Sequence, residues 1–228
     1  MKKLDFKKLG SDPIYRSAPF WAWNSAIEPD EVRRQIRIMH DMHMGGFFIH
    51  SRAGLATEYL GKEWFKCVKA AVDVAEKLNM YANLYDEDRW PSGIAGGAIT
   101  QEKKFRMRYL EFYDAEAPLP CAAGDITLNK VYILTLSEHG EVVAYRKAGE
   151  VPEAVAPQEK AVRLIVRIAP SSENYNNGSY LDTTDPAAVR AFIDSTYEKY
   201  FSEFGEKFGK SIPYFFTPTS KLIGSELY

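Results

Sequence analysis

Three short apolar stretches, each ending in polar or aromatic residues, constrain this chain more than any other feature. Phe20 to Trp23 reads as a short buried strand ending at Asn24. Phe47-Phe48-Ile49 is a continuous apolar run, as in a strand covered on both faces, and ends in His50-Ser51-Arg52. Tyr81 to Tyr85 is a third strand and runs directly into Asp86-Glu87-Asp88. Glu28-Pro29-Asp30-Glu31 opens a helix between the first two, with Val32, Ile36, Met39 and Met42 near helical spacing, and Gly45-Gly46 stops it. A second helix, from about Lys62 to Leu78, carries Phe65, Val68, Val72, Ala75 and Leu78 on one face. Strand–helix units of about 30 residues predict a parallel sheet with right-handed crossovers. In such sheets the carboxyl ends of the strands form the functional face, and here all three end in residues suited to a site.

The pattern changes after Gly97. Arg106 to Ala115, Lys130 to Ser137, Glu141 to Lys147 and Val162 to Ala169 read as strands, with Glu138-His139-Gly140 as a hairpin turn. Helical rhythm resumes at Thr184-Asp185-Pro186, with Val189, Ile193, Thr196, Tyr200 and Phe204 on one face. Ile212 to Phe216 is a fourth barrel-type strand. The expectation is an α/β chain: a partial (β/α) TIM-type barrel of about four parallel strands with an inserted antiparallel β subdomain. Residues 1–104 hold the first three βα units, 105–170 the insertion, and 171–228 a helix and the fourth strand. A complete eight-fold barrel takes about 250 residues without insertions. Four open strands leave edges and apolar helix faces uncovered, which predicts self-association.

Composition narrows the function classes. A net charge of −2 with no basic stripe gives nucleic acid no footprint. No apolar run approaches the roughly 20 residues of a membrane helix, and the basic start lacks a signal-peptide core, so a cytoplasmic protein is the default expectation. The two cysteines, Cys67 and Cys121, are read as free thiols. Aromatic residues make up 14% of the chain, a surplus that suits stacking on sugar rings as well as core packing.

Asp86, Glu87 and Asp88 are suited to holding sugar hydroxyls, a metal, or to acid/base work; the plain alternative is a solvated acidic turn pairing with Arg52 or Arg89. Side chains alternate along a strand, so Asp86 and Asp88 are expected on one side and Glu87 on the other. Glycoside cleavage needs two carboxyl groups flanking the bond, and Glu87 is a weak candidate for one of them. His50 and Arg52 share a side, where Arg52 suits a carboxylate and His50 a hydroxyl; a structural ion pair at the rim is equally consistent. His50-Ser51-Arg52 lacks the His-x-His pair of a metal hydrolase, and no metal site is assigned. Trp21 is assigned to the core, whereas Trp23 and Trp90 stand beside polar candidates and suit stacking. The run Gly93-Ile94-Ala95-Gly96-Gly97 permits a tight loop without matching a phosphate-binding motif.

Pro19-Phe20-Trp21-Ala22-Trp23-Asn24, Gly45-Gly46-Phe47-Phe48-Ile49-His50-Ser51-Arg52 and Tyr85-Asp86-Glu87-Asp88-Arg89-Trp90-Pro91-Ser92-Gly93, with Tyr180-Leu181-Asp182 further on, resemble the opening of large bacterial glycoside hydrolases. The resemblance is to the α-L-rhamnosidase family, glycoside hydrolase family 106, and its relatives, over about residues 15–216. It implies a (β/α)-barrel catalytic domain, cleavage of a glycosidic bond, an inverting pair of glutamates and, in some members, a nearby calcium ion; no other cofactor is implied. It also implies sugar contacts from Trp23, Asn24, His50, Arg52, Asp86, Asp88 and Trp90. The departure is at the end. Relatives carry an acidic Phe-Thr-Asp-Glu-Pro-like segment after the fourth strand, whereas this chain reads Phe216-Thr217-Pro218-Thr219-Ser220. The expectation is that a frameshift ended this reading frame early: codons for Asp-Glu with their flanking bases, read one base out of register after an extra C, encode Pro-Thr-Ser, the order of Pro218, Thr219 and Ser220.

The expectation is therefore a rhamnosidase-like glycoside hydrolase acting on plant or bacterial oligosaccharides, truncated and weak or inactive as an isolated chain. The rivals are a non-catalytic carbohydrate-binding domain and a gene fragment without function.

Overall fold

A computed structural model describes residues 11–119, 124–152 and 154–218. Cys121 lies outside them. The chain is mixed α/β with a four-stranded parallel sheet and a separate four-stranded antiparallel sheet. It divides into two compact units: one comprises the residues up to Ile99 together with those from Val189, and the other Thr100–Ala188. No helix among the described residues is long and apolar enough to cross a membrane.

The first unit is built from β1 (Phe20–Trp23), α1 (Pro29–Asp41), β2 (Gly46–Ser51), α2 (Lys62–Lys77) and β3 (Tyr81–Tyr85). It is completed by α3, whose span Pro186–Ser195 begins just before the unit boundary, α4 (Tyr197–Phe204) and β8 (Phe215–Phe216). The sheet order is β1-β2-β3-β8, all parallel, with Phe20 beside Phe48, Phe48 beside Asn83, and Tyr85 beside Phe216. Pro29 sits in the first turn of α1 with Asp30 and Glu31, where a missing N–H costs nothing and acids favour the dipole. Val32, Ile36 and Met39 fall on its buried side. In α2, Ala70, Ala71 and Ala75 join Trp64, Cys67, Val68 and Val72 in the core.

Strand parity divides the parallel sheet. Trp23, Phe47, Ile49, Ala82 and Leu84 point into the core with the helix residues. Each large apolar side chain so buried contributes about 1.5–3 kcal/mol before ordering entropy is counted. Phe20, Phe48, His50, Tyr85 and Phe216 take the opposite face, where their rings meet one another. The rings of Phe20 and Phe216 lie 4.8 Å apart although β1 and β8 are the two edges of the sheet. In a flat sheet those strands stand about 14 Å apart, so the sheet curls, concave on this face. Phe20 is 53% exposed, so β1 is not the fully buried strand its sequence suggests.

Two elements differ from expectation. The helix predicted through residues 184–204 breaks at Thr196, whose backbone φ of −118° and ψ of −68° separate α3 from α4. The Phe192 carbonyl accepts both the Ser195 hydroxyl, at 3.0 Å, and the Thr196 N–H, at 3.1 Å, and such local competition bends a helix. The fourth strand is shorter than its apolar run, because Pro213 has no N–H to donate. The chain still lies along β3, with Ala82 donating to Ser211 and Leu84 to Tyr214.

The second unit contains β4 (Arg108–Asp114), β5 (Ile126–Leu136), β6 (Val142–Ala148) and β7 (Glu159–Ile168), ordered β4-β7-β5-β6 and antiparallel throughout. β5 and β6 are joined through Glu138-His139-Gly140, with Gly140 at φ +81° and its N–H bonded to Ser137. Arg167 is buried and paired with Glu111 at 2.7 Å.

Candidate functional site

The acidic run leaves β3 as three divergent carboxylates. Asp86 and Glu87 are both 0% exposed. Asp86 accepts the Ser92 hydroxyl on one oxygen and the Tyr197 hydroxyl on the other, each at 2.5 Å. Tyr197 is in turn 2.8 Å from the Thr217 hydroxyl. Burial pushes the Asp86 carboxyl above its ordinary range, and the hydroxyl bonds oppose that push. Asp88 is held by the Ser51 hydroxyl on β2. Hydroxyls, and not Arg52 or Arg89, therefore hold Asp86 and Asp88 among the described residues.

Glu87 is bound differently. One oxygen accepts the backbone N–H groups of Gly93, Ile94 and Ala95 at 2.7–3.1 Å. The other accepts those of Asp88 and Gly96 at 2.8 and 2.7 Å. The loop wraps this carboxylate because Gly93, Ala95, Gly96 and Gly97 all have positive φ, which turns successive amides inward as in an anion-binding nest. The glycine-rich run is thus an anion cradle whose anion is the chain's own glutamate. Burial pushes the Glu87 carboxyl above its ordinary range and the amides of Gly96, Ala95 and Asp88 oppose that push; five N–H donors converging on its two oxygens favour the ionised form.

Beside these acids the concave face opens into a cleft of about 480 Å³ lined by Phe20, His50, Tyr85, Trp90, Phe216, Thr217 and Pro218. Trp90 is 49% exposed and forms a wall of it. His50 packs edge-on to Tyr85 at 4.0 Å, and burial, with Arg52 next, lowers its pKa to about 4, so the ring is neutral. The Tyr85 hydroxyl donates to the Arg89 carbonyl, immediately before Trp90.

Of the sequence candidates, His50 and Trp90 line this cleft together. Trp23 does not reach it; it is 2% exposed and packs at 5.0 Å against Trp64 in the core. Asn24 and Arg52 are exposed at the strand ends, where the Arg52 N–H bonds the Trp23 carbonyl. Asp86 and Glu87 face away from solvent. Sequence reasoning missed Tyr197 and Thr217, which are distant in the chain from Asp86 and carry no motif. It also missed Phe20 and Phe216, whose orientation depends on strand parity. Among the described residues no three His, Cys, Asp or Glu side chains gather as a metal site. The Asp86 and Glu87 oxygens are engaged by hydroxyls and amides.

No family model and no curated protein matches the chain. Among solved structures, a rhamnosidase from Novosphingobium sp. PP1Y is similar at 16% identity and a TM-score of 0.38. The match covers 62% of this chain, which spans 17% of the length of that protein.

Proposed function

We propose that this chain forms the sugar-holding arc of a glycoside-hydrolase-like (β/α) barrel, of the rhamnosidase kind, binding carbohydrate without cleaving it. The observation that carries this reading is the composition of the cleft at the carboxyl ends of the parallel strands. Aromatic faces from Phe20, Tyr85, Trp90 and Phe216 stand beside neutral hydrogen-bonding groups, His50 and Thr217. A neutral polyhydroxylated ring with one apolar face suits such a lining, through stacking below and hydrogen bonds at its edge. The curl of the sheet and its sequential strand order favour a barrel arc.

Cleavage needs two carboxyl groups open to the bond. Asp86 and Glu87 are turned inward with their oxygens bonded to hydroxyls and amides, so the assignment is to binding. Glu87 is assigned a structural role and not the acid/base role. The test is titration of the purified chain with aryl rhamnoside and rhamnose-containing oligosaccharides. Saturable binding that Trp90→Ala weakens, with no release of the aryl alcohol, is expected. Turnover above the uncatalysed rate overturns the binding-only assignment, and absence of any sugar binding overturns the reading as a whole.

A further inference from the structure

We propose that Glu87 is the positioning residue for Trp90, fixing the aromatic wall of the cleft through the loop it gathers; what that wall touches rests on the carbohydrate reading above. Trp90 sits between two sets of anchors. Upstream, the Arg89 N–H bonds the Ser51 carbonyl at 3.3 Å and the Arg89 carbonyl accepts the Tyr85 hydroxyl. Arg89 has φ +84°, a conformation an arginine keeps only where its surroundings hold it. Downstream, Ser92 is bonded to Asp86, and Gly93, Ile94, Ala95 and Gly96 give their amides to Glu87.

The downstream set depends on one side chain. Ala95, at φ +47°, is an L-residue in the left-handed region, and Gly93 and Gly96 flank it at φ +112° and +64°. Such a path aims its N–H groups at one point. Without an acceptor there, four amides in succession lose their partner, and buried backbone donors do not persist unpaired. The loop therefore holds this path because Glu87 supplies the acceptor. Trp90, three residues before the first gathered amide, stands where the path begins. No sugar contact is asked of Glu87, which is fully buried; it acts through the loop.

Trp90 supplies its own probe. Trp23 and Trp64 are buried and Trp21 is partly buried, so quenching of tryptophan fluorescence by acrylamide reports chiefly on Trp90, with Trp90→Phe as the baseline. In Glu87→Gln the amide nitrogen has no lone pair for the N–H groups it faces. The Trp90 quenching constant is expected to rise toward that of free tryptophan, with far-ultraviolet dichroism and a cooperative melt retained. Affinity for an aryl rhamnoside is expected to fall about three- to tenfold, the worth of one aromatic contact. Glu87→Asp, which keeps the charge one methylene short, is expected to recover part of both. If Glu87→Gln does not melt cooperatively, Glu87→Asp serves alone, with a raised quenching constant supporting the proposal. A folded variant with unchanged Trp90 quenching overturns it, because the upstream anchors then suffice. The quenching readout needs no sugar, so failure of the wild-type chain to bind sugar sinks the functional reading alone.

Discussion

The Ala95 N–H reaches the Glu87 carboxylate at 2.7 Å, closing a ring of nine residues, Glu87 to Ala95, on an anion that belongs to the same chain. Four further amides converge on that carboxylate, so the loop after β3 is folded around it. This relationship explains how a fully buried acid is tolerated at the end of a strand, where its neighbour Asp86 is also buried. Burial of an unpartnered charge is prohibitive, whereas charge-assisted bonds from fixed amides offset it.

Glu87→Gln is expected to cost about 2–5 kcal/mol of stability, since at least two buried N–H groups then face an amide NH2. Urea unfolding of the variant against wild type measures this. A loss below the error of the extrapolation contradicts the nest.

Tyr197→Phe removes one of the two hydroxyls placed on the separate oxygens of Asp86. Loss of a bond to a charged group costs about 1–3 kcal/mol. Because Tyr197 also meets Thr217, the double variant with Thr217→Val is expected to cost less than the two single losses added together. A double-mutant cycle by thermal or urea melts checks the coupling, and strict additivity rules it out.

His50 sets a pH dependence. Its folded pKa is about 4 against an ordinary 6.5. Between those values the folded chain binds fewer protons than the unfolded one, so stability rises with pH through this window. The contribution is present in full above about 6.5 and is lost as pH falls toward 4. Melting temperatures at pH 7 and pH 4.5 are expected to differ more for wild type than for His50→Gln. Equal differences show that His50 does not carry the effect.

Gly46→Ala tests the start of β2. A Cβ there lies 2.5 Å from the Tyr81 carbonyl oxygen on β3, a backbone atom that cannot retreat without parting the strands. The cost expected from such overpacking is about 1–3 kcal/mol, read by denaturant melts. A neutral substitution shows that the two strands are less closely joined.

The sequence by itself determined the order of elements and where polar residues collect. Apolar runs of strand length, the acids and proline opening α1, and the hairpin glycine are local signals, and each shaped the backbone beside it. The run Asp86-Glu87-Asp88 lies between Tyr85 and Trp90, two of the residues that line the cleft. Directions were another matter. In Phe20-Trp21-Ala22-Trp23 every second side chain faces the helices, and nothing within four mostly apolar residues says which. Packing against Trp64 decided it, sending Trp23 inward and leaving Phe20 to the concave face. The fates of the acids were likewise tertiary. Asp86 meets a tyrosine 111 positions away, and Glu87 meets amides whose direction depends on four consecutive backbone choices. Local propensity fixes what a segment becomes; which partner satisfies a buried charge is settled only when distant segments arrive beside it.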